Sequence, residues 1–280
     1  MGISIARGSA PDKEAATMRR LEGFGRLDFL QATYRTHNFP PHVHDTFVIE
    51  LVEQGIDEFT VGSNLHRAHA GEIILIHPGE VHNGHPAGEA PLSYRAIYPR
   101  PELLTEVARS IGHPTGAVPT FAGPVLQDPL LADRLIQLFR ALEEPADPAR
   151  SDAILHMALT TLVRRHGKGS TDSQRPKAER PAVRRVVDYI RAHASEPLSL
   201  EELSGIARLS LYHFLRVFRK EVGLRPHEFL VNIRVDRARG LLSRGRSITE
   251  AAVETGFADQ SHLTRWFKRI MGITPGNFRA

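Results

Sequence analysis

The 280-residue sequence contains no cysteine. That excludes a disulfide framework, cysteine-ligated zinc, a thiolate nucleophile and a thiol redox switch, and it agrees with a reducing compartment. Long apolar runs are missing as well, and none approaches the roughly 20 residues needed to cross a bilayer. Met1 to Glu14 shows no charged region leading into an apolar stretch and cleavage site, so the expectation is no secretion signal and a soluble cytoplasmic protein with no membrane role. Aromatic residues are sparse, at 7%, but 41% hydrophobic and 24% charged residues are ordinary globular values that exclude disorder and fibrous repeats. The length alone favours two domains.

The net charge of +4 conceals an uneven distribution. Residues 1–175 carry 17 Lys/Arg against 21 Asp/Glu, whereas residues 176–280 carry 19 against 11. Eight of the fifteen histidines fall between His37 and His85. A basic C-terminal part implies a polyanionic partner, because phosphate contacts release counterions and positive potential speeds association. Charge by itself does not separate DNA from RNA or an anionic membrane.

The segment from Gly167 to Arg180 is rich in Gly, Ser, Pro and charge, and cannot bury itself. The expected division is therefore a first domain over 1–166, a flexible linker over 167–180 and a second domain over 181–280. From about Gly25 to Pro99, short alternating apolar runs such as Thr46 to Val52 are punctuated by Gly and Pro, which predicts a small β-barrel or sandwich. From Pro101 to His166 the period becomes helical. Leu130, Leu131, Leu135, Leu138 and Phe139 form one stripe, and Ile154, Leu155, Ala158, Leu159 and Leu162 form another. Joined through Glu144 to Pro148, these predict an antiparallel helix pair that packs on the barrel or forms a dimer interface.

The C-terminal part repeats itself. Ser210 to Gly223 aligns with Asp259 to Gly272, pairing His213 with His262, Arg216 with Arg265, Phe218 with Phe267 and Gly223 with Gly272. Upstream, Ser199 to Glu202 aligns with Ser247 to Glu250. Each copy reads as helix, tight turn, helix, with capping boxes at Ser199/Glu202 and Ser247/Glu250 and caps at Ser210 and Asp259. Gly223 and Gly272 end the second helices, and Pro226 and Pro275 open the next. Phe214, Val217 and Phe218 face inward in the first copy, and Leu263, Trp266, Phe267 and Ile270 in the second. Tyr212, Leu215, Arg216, Arg219 and Lys220, and then Gln260, Ser261, Thr264, Arg265, Lys268 and Arg269, are left on the outer faces, and the cap residue Ser210 is a further DNA-binding candidate. Such helix-turn-helix units place the second helix in a DNA major groove, where Arg reads guanine, Gln pairs with adenine and later Lys/Arg meet phosphates. A helix of about 17 residues from Pro226 would hold both units on one face of the DNA.

Leu211 to Lys220 and Gly256 to Pro275 closely resemble the DNA-binding domain of the AraC/XylS transcription regulators. The resemblance implies base-reading positions at Tyr212, Leu215, Arg216, Gln260, Ser261 and Arg265. Two residues depart from that pattern: Arg208, where the first turn usually has glycine, and Ser204, where the first helix usually has alanine. The stretches Pro40 to Glu50 and Gly71 to His82 resemble the cupin barrel that precedes many such domains, which implies effector binding inside the barrel and help with dimerisation.

On one extended strand His42, His44 and Glu50 would share a face. With His82 they allow three readings: a site for zinc, iron or manganese, an effector pocket, or strand-end hydrogen bonds. Tyr94 and Arg95 on a following strand are candidates for an anionic ligand, and a histidine-rich pocket would respond to pH. The expected fold class is thus α+β in two domains, a cupin-like β-barrel with flanking helices followed by an all-α domain with two helix-turn-helix motifs. The expected function is a sequence-specific, effector-controlled DNA-binding regulator of the AraC/XylS type, without catalysis, metal or cofactor. His42, His44, Glu50, His82 and Arg95 are the effector candidates. Operator DNA, a second copy of the chain in a homodimer, and RNA polymerase are the expected macromolecular partners. A metal-dependent cupin enzyme and a constitutive regulator whose barrel only dimerises are the rival readings.

Overall fold

The computed structural model describes residues 14–21, 27–113, 118–143, 148–168 and 181–279. It falls into two compact units, one of Met1–Asn38, Asp45–Gly79 and Gly84–Ser173, the other of Phe39–His44, Glu80–Asn83 and Gln174–Ala280. The sequence division assigned 39–44 and 80–83 to the first domain; here they group with the C-terminal helices. Most of the expected linker, residues 169–180, lies outside the described residues, as does the helix connection at 144–147.

In the first part of the chain the strands are β1 (Ala15–Leu21), β2 (Leu27–Tyr34), β3 (Phe39–His42), β4 (Val48–Gln54), β5 (Ile56–Val61), β6 (Asn64–His69), β7 (Ile73–Ile76), β8 (His82–Pro86), β9 (Leu92–Tyr98) and β10 (Val125–Leu126). They form two cupin-like sheets, ordered β10-β7-β4-β9-β2-β1 and β3-β8-β5-β6, in place of the closed barrel expected. β1 precedes the predicted start of the strands, because AATMRRL offers too little alternation to be read as one.

The larger sheet is buried on both faces, which fixes where a site can lie. Its antiparallel register sets Phe29 and Ile49 opposite Ile97, and Ile49 opposite Leu75. These odd-numbered residues form one core with α1 (Pro101–Ser110), α2 (Pro129–Glu143) and α3 (Pro148–His166). The predicted stripes of α2 and α3 are used up in this packing, except Leu130, which is 46% exposed. Asp128 secures the helix pair. Its carboxylate accepts the Leu130 and Leu131 amides at 3.1 and 3.2 Å, and bonds of 2.6 Å from Arg165 and His166 at the end of α3. Burial opposes ionisation there, but these donors hold the Asp128 carboxyl down at about 2. The even-numbered residues Tyr34, Glu50, Val52, Tyr94 and Ala96 line the opposite, equally buried face.

The second unit contains α4 (Pro181–Ala192), α5 (Leu200–Ala207), α6 (Leu211–Val222), α7 (Pro226–Leu242), α8 (Ile248–Glu254) and α9 (Gln260–Met271). Val183, Val186, Ile190, Leu203, Phe214, Phe218 and Phe229 form its first core, with Val43 and Val81 packed against it. α7 is 17 residues long, about 25 Å at 1.5 Å per residue, and buries residues around most of its circumference because it separates the two motifs.

Candidate nucleic-acid interface and effector site

The two helix-turn-helix motifs are built by different local means. In the second, Ser247 and Glu250 close a full capping box on α8, and Asp259 accepts the His262 amide at 2.7 Å. In the first, Ser199 accepts the Glu202 amide at 3.0 Å, but the Glu202 carboxylate accepts the Tyr189 hydroxyl and closes no box. Ser210 occupies the N-cap of α6 without a side-chain bond, contrary to the expected cap. Both second helices end on left-handed glycines, Gly223 and Gly272, as the spacing predicts.

The helix faces separate as expected. Phe214, Val217 and Phe218, then Leu263, Phe267 and Ile270, are buried. Trp266, predicted inward, is half-buried, lies beneath Arg269 and donates to His262 Nε2 at 3.1 Å. Ser210, Tyr212, Arg216, Arg219 and Lys220 are exposed on α6 and its cap, Tyr212 at 80%, with Leu215 half-buried. Gln260, Ser261, Arg265 and Lys268 are exposed on α9, with Thr264 half-buried. Gln260 accepts a hydrogen bond of 2.8 Å from Thr249, which orients its amide. Other basic residues serve the fold: Arg234 donates to the Ala194 and Glu196 carbonyls at 2.7 and 2.8 Å, and Arg239 pairs with Asp236 at 2.6 Å.

The expected effector residues do not form one constellation. β3 ends at His42 and β4 begins at Val48, so the residues between them break the strand and the shared-face argument for His42, His44 and Glu50 fails. Glu50 instead meets Asp57 of β5 across the interior of the first unit. Burial and the neighbouring Asp57 push Glu50 well above the usual carboxylate range. Burial raises Asp57 to about 7, against the hydrogen bond from Glu50. Around the pair stand Tyr34 and Tyr94, ring centroids 6.1 Å apart, whose hydroxyls are both held protonated chiefly by burial. One oxygen of each carboxyl, Glu50 Oε1 and Asp57 Oδ1, is buried with no hydrogen-bond partner among the described residues. Asp57 and the two tyrosines were missed as a site with Glu50; burial on an otherwise apolar face is their signal, and it needs the register to be seen.

Arg95 lies on the other face of the sheet. It pairs with Leu51 in register, forms ion pairs with Glu53 and with Glu143 of α2, and lies over the Phe139 ring at 5.1 Å. The fold thus gives it a packing role between sheet and helix. His42, His44 and His82 do come together, in the second unit, with one ring nitrogen of each within 4.8 Å of the others.

A basic tandem helix-turn-helix, in one chain with two cupin-like sheets around a polar, buried interior, defines a DNA-binding transcription regulator with a ligand-binding domain. Comparison with known proteins agrees. Residues 24–159 match the AraC-like ligand binding domain and residues 203–280 a helix-turn-helix domain. The helix-turn-helix transcriptional regulator YbfI of Bacillus subtilis is 30% identical over 225 residues, 80% of this chain and 81% of that one. The chain therefore belongs to the AraC-type family of helix-turn-helix transcriptional regulators, which are not enzymes. The transcriptional activator RhaS of Escherichia fergusonii is 24% identical over 254 residues, covering 86% of this chain and 87% of that one. A lysine-to-alanine variant of apo ToxT from Vibrio cholerae shares the fold, with a TM-score of 0.57 at 13% identity over 89% of this chain and 95% of that chain. Among the described residues, no helix is long and apolar enough to cross a membrane.

Proposed function

We propose that this regulator binds operator DNA as a homodimer through α6 and α9, under the control of a small molecule held between the sheets of its first unit. The observation that carries the DNA reading is the repeated motif, with matching polar faces on both second helices and α7 between them. Arg216, Arg265 and Gln260 read base edges. Tyr212, Leu215, Ser261 and Thr264 contact bases from the first turns of the same helices, and Ser210, Arg219, Lys220 and Lys268 engage phosphates. The domains run 1–166 and 181–280 in sequence, and the protein works in the bacterial cytoplasm, contacting RNA polymerase from the exposed surface of its C-terminal domain.

The effector site centres on Glu50, Asp57, Tyr34 and Tyr94. Two buried carboxyls with unmatched oxygens accept hydrogen bonds, so the chemistry fits a compact effector rich in N–H or O–H donors, an amine or a polyol. This differs from the anionic ligand suggested by Arg95, whose charge is met by Glu53 and Glu143. Footprinting on DNA flanking the protein's own gene tests the DNA reading: protection of two successive major grooves per subunit on one face is the expected result. A cleavage pattern unchanged by protein at low salt, with and without a library of amines and polyols, overturns it.

A further inference from the structure

We propose that His42, His44 and His82 form a binding site for a divalent metal ion of the zinc class. The sequence reading expected no metal, and its rival version needed Glu50 as a fourth ligand. In the structure Glu50 is committed to Asp57, while the three imidazoles form a cluster of their own. Ring centroids lie 4.2 Å apart for His42 and His82, 4.9 Å for His42 and His44, and 5.2 Å for His44 and His82. His42 and His82 are only 5% and 8% exposed.

Second contacts select the tautomers. His42 Nδ1 donates to the Pro40 carbonyl at 2.8 Å, and His82 Nδ1 to the Glu80 carbonyl at 3.0 Å. A carbonyl can only accept, so each ring carries its proton on Nδ1 and its lone pair on Nε2. A ring N–H held by a backbone carbonyl is the usual support of a metal-bound imidazole, because it orients the ring and raises the basicity of the other nitrogen. Imidazole nitrogens without thiolate or carboxylate suit zinc and its neighbours nickel, copper and cobalt, and exclude calcium and magnesium. Zinc–nitrogen bonds of roughly 2.0–2.1 Å set tetrahedral ligands roughly 3.3 Å apart, and one ring nitrogen of each histidine already lies within 4.8 Å of the others. Three histidines leave one coordination position for water or a donor from solution. Among the described residues, Arg239, which is tied to Asp236, acts on His44, and Glu80, whose carboxylate favours a cation, acts on His82.

The position gives the ion a structural consequence. Its ligands come from 39–44 and 80–83, the two segments that group with the DNA-binding helices. β3 packs on α7 and α9, and the Val43 amide donates to Asn232 Oδ1 of α7 at 3.4 Å. One ion would cross-link the two segments within the unit that holds both motifs. This inference does not depend on the effector or operator proposed above.

The test uses tag-free full-length protein stripped by chelator, titrated with Zn²⁺ by calorimetry and with Co²⁺ by visible absorption. The expected result is one ion per chain and the d–d bands of four-coordinate Co²⁺. His44→Gln and His82→Gln should each weaken binding by more than the roughly 10–100-fold that loss of an outer-shell partner costs. His156→Gln, an exposed histidine on α3, should leave it unchanged. Absence of stoichiometric uptake by the unaltered protein overturns the proposal, whatever the variants do. Equal affinity in folded His44→Gln overturns it as well.

Discussion

The first helix-turn-helix makes its turn on a residue that resists it. Arg208 adopts φ 55°, ψ 42°, and is the one non-glycine residue with positive φ among the described residues. Its counterpart in the second motif is Gly256, at φ 81°. The turns are otherwise built alike. The Arg208 and Leu209 amides donate to Gly205 and Ser204 carbonyls at 3.0 and 3.1 Å, and the Gly256 and Phe257 amides to Val253 and Ala252 at 3.1 and 2.9 Å. The left-handed conformation costs an L-residue about 1–2 kcal/mol. Replacing Arg208 by glycine removes that cost and none of the backbone bonds, and the exposed side chain takes little packing with it. Glycine also loosens the unfolded chain, which offsets about 0.4–1 kcal/mol. Arg208→Gly should therefore stabilise the helical unit by about 0.5–1 kcal/mol. Gly256→Ala should do the opposite, and more strongly. A Cβ there would sit 2.6 Å from the Ser195 carbonyl oxygen and 3.1 Å from the Arg234 guanidinium carbon, so strain and clash together cost at least about 2 kcal/mol. Trp266 is the only tryptophan and lies on α9, so its fluorescence reports urea unfolding of this unit in the full-length protein. With a slope of about 2 kcal/mol per M, Arg208→Gly should raise the midpoint by about 0.3–0.5 M. A lowered midpoint for Arg208→Gly, or an unchanged one for Gly256→Ala, would refute the strain argument.

Three further outcomes follow from other parts of the molecule. Arg216→Ala and Arg265→Ala should each cost about 1–3 kcal/mol on the operator and little on random DNA, as measured by competition binding; equal losses on both would assign these residues to phosphates. Asp128→Asn should destabilise the first unit by about 1–3 kcal/mol at neutral pH, since it weakens the bonds from Arg165 and His166. The wild-type carboxyl is depressed to about 2 from 3.8, so its contribution is present above pH 3.8 and lost as pH falls towards 2; a variant penalty that persists at pH 2 would contradict the assignment. The Glu50–Asp57 pair runs the other way. The folded protein keeps protons that the unfolded chain releases above pH 3.8 to 4.5, so stability falls as pH rises towards and past 7, the raised value of Asp57. Asp57→Asn should flatten that decline in thermal unfolding followed by far-UV circular dichroism between pH 5 and 8, and an undiminished slope would show that the pair does not carry it.

How far the sequence could be read depended on whether the signal was local. The tandem motif was legible because capping, helix-ending glycines and amphipathic faces are properties of a few neighbouring residues, and the 49-residue offset between copies supplied a second reading of each. Even there Ser210 failed as a cap, because a serine before a helix permits the bond without compelling it. The antiparallel pair α2 and α3 was legible from its stripes, but the residue securing it, Asp128, bonds to a helix end 37 residues away and leaves no periodic trace. β1 was missed because only Met18 in it is fully buried, and its strand nature comes from pairing with β2.

The candidate site was harder because strand parity holds only while the strand continues. A single step in register reverses the facing of a side chain. Tyr94 and Arg95 illustrate this: the first looks into the interior towards Glu50, while the second reaches Glu143 of α2. Likewise the break between β3 and β4 sends Glu50 to Asp57 and leaves His42 and His44 to His82. What looked like one four-residue site is two chemically distinct ones: acceptor-rich carboxyls in one unit and imidazole donors in the other. The distinction has an experimental consequence. If they are separate inputs, His44→Gln should abolish metal uptake yet leave effector-induced stabilisation intact, and Asp57→Asn should do the reverse. Loss of both responses in either variant, with the fold intact, would mean that a single site serves both, as the strand-parity argument had it.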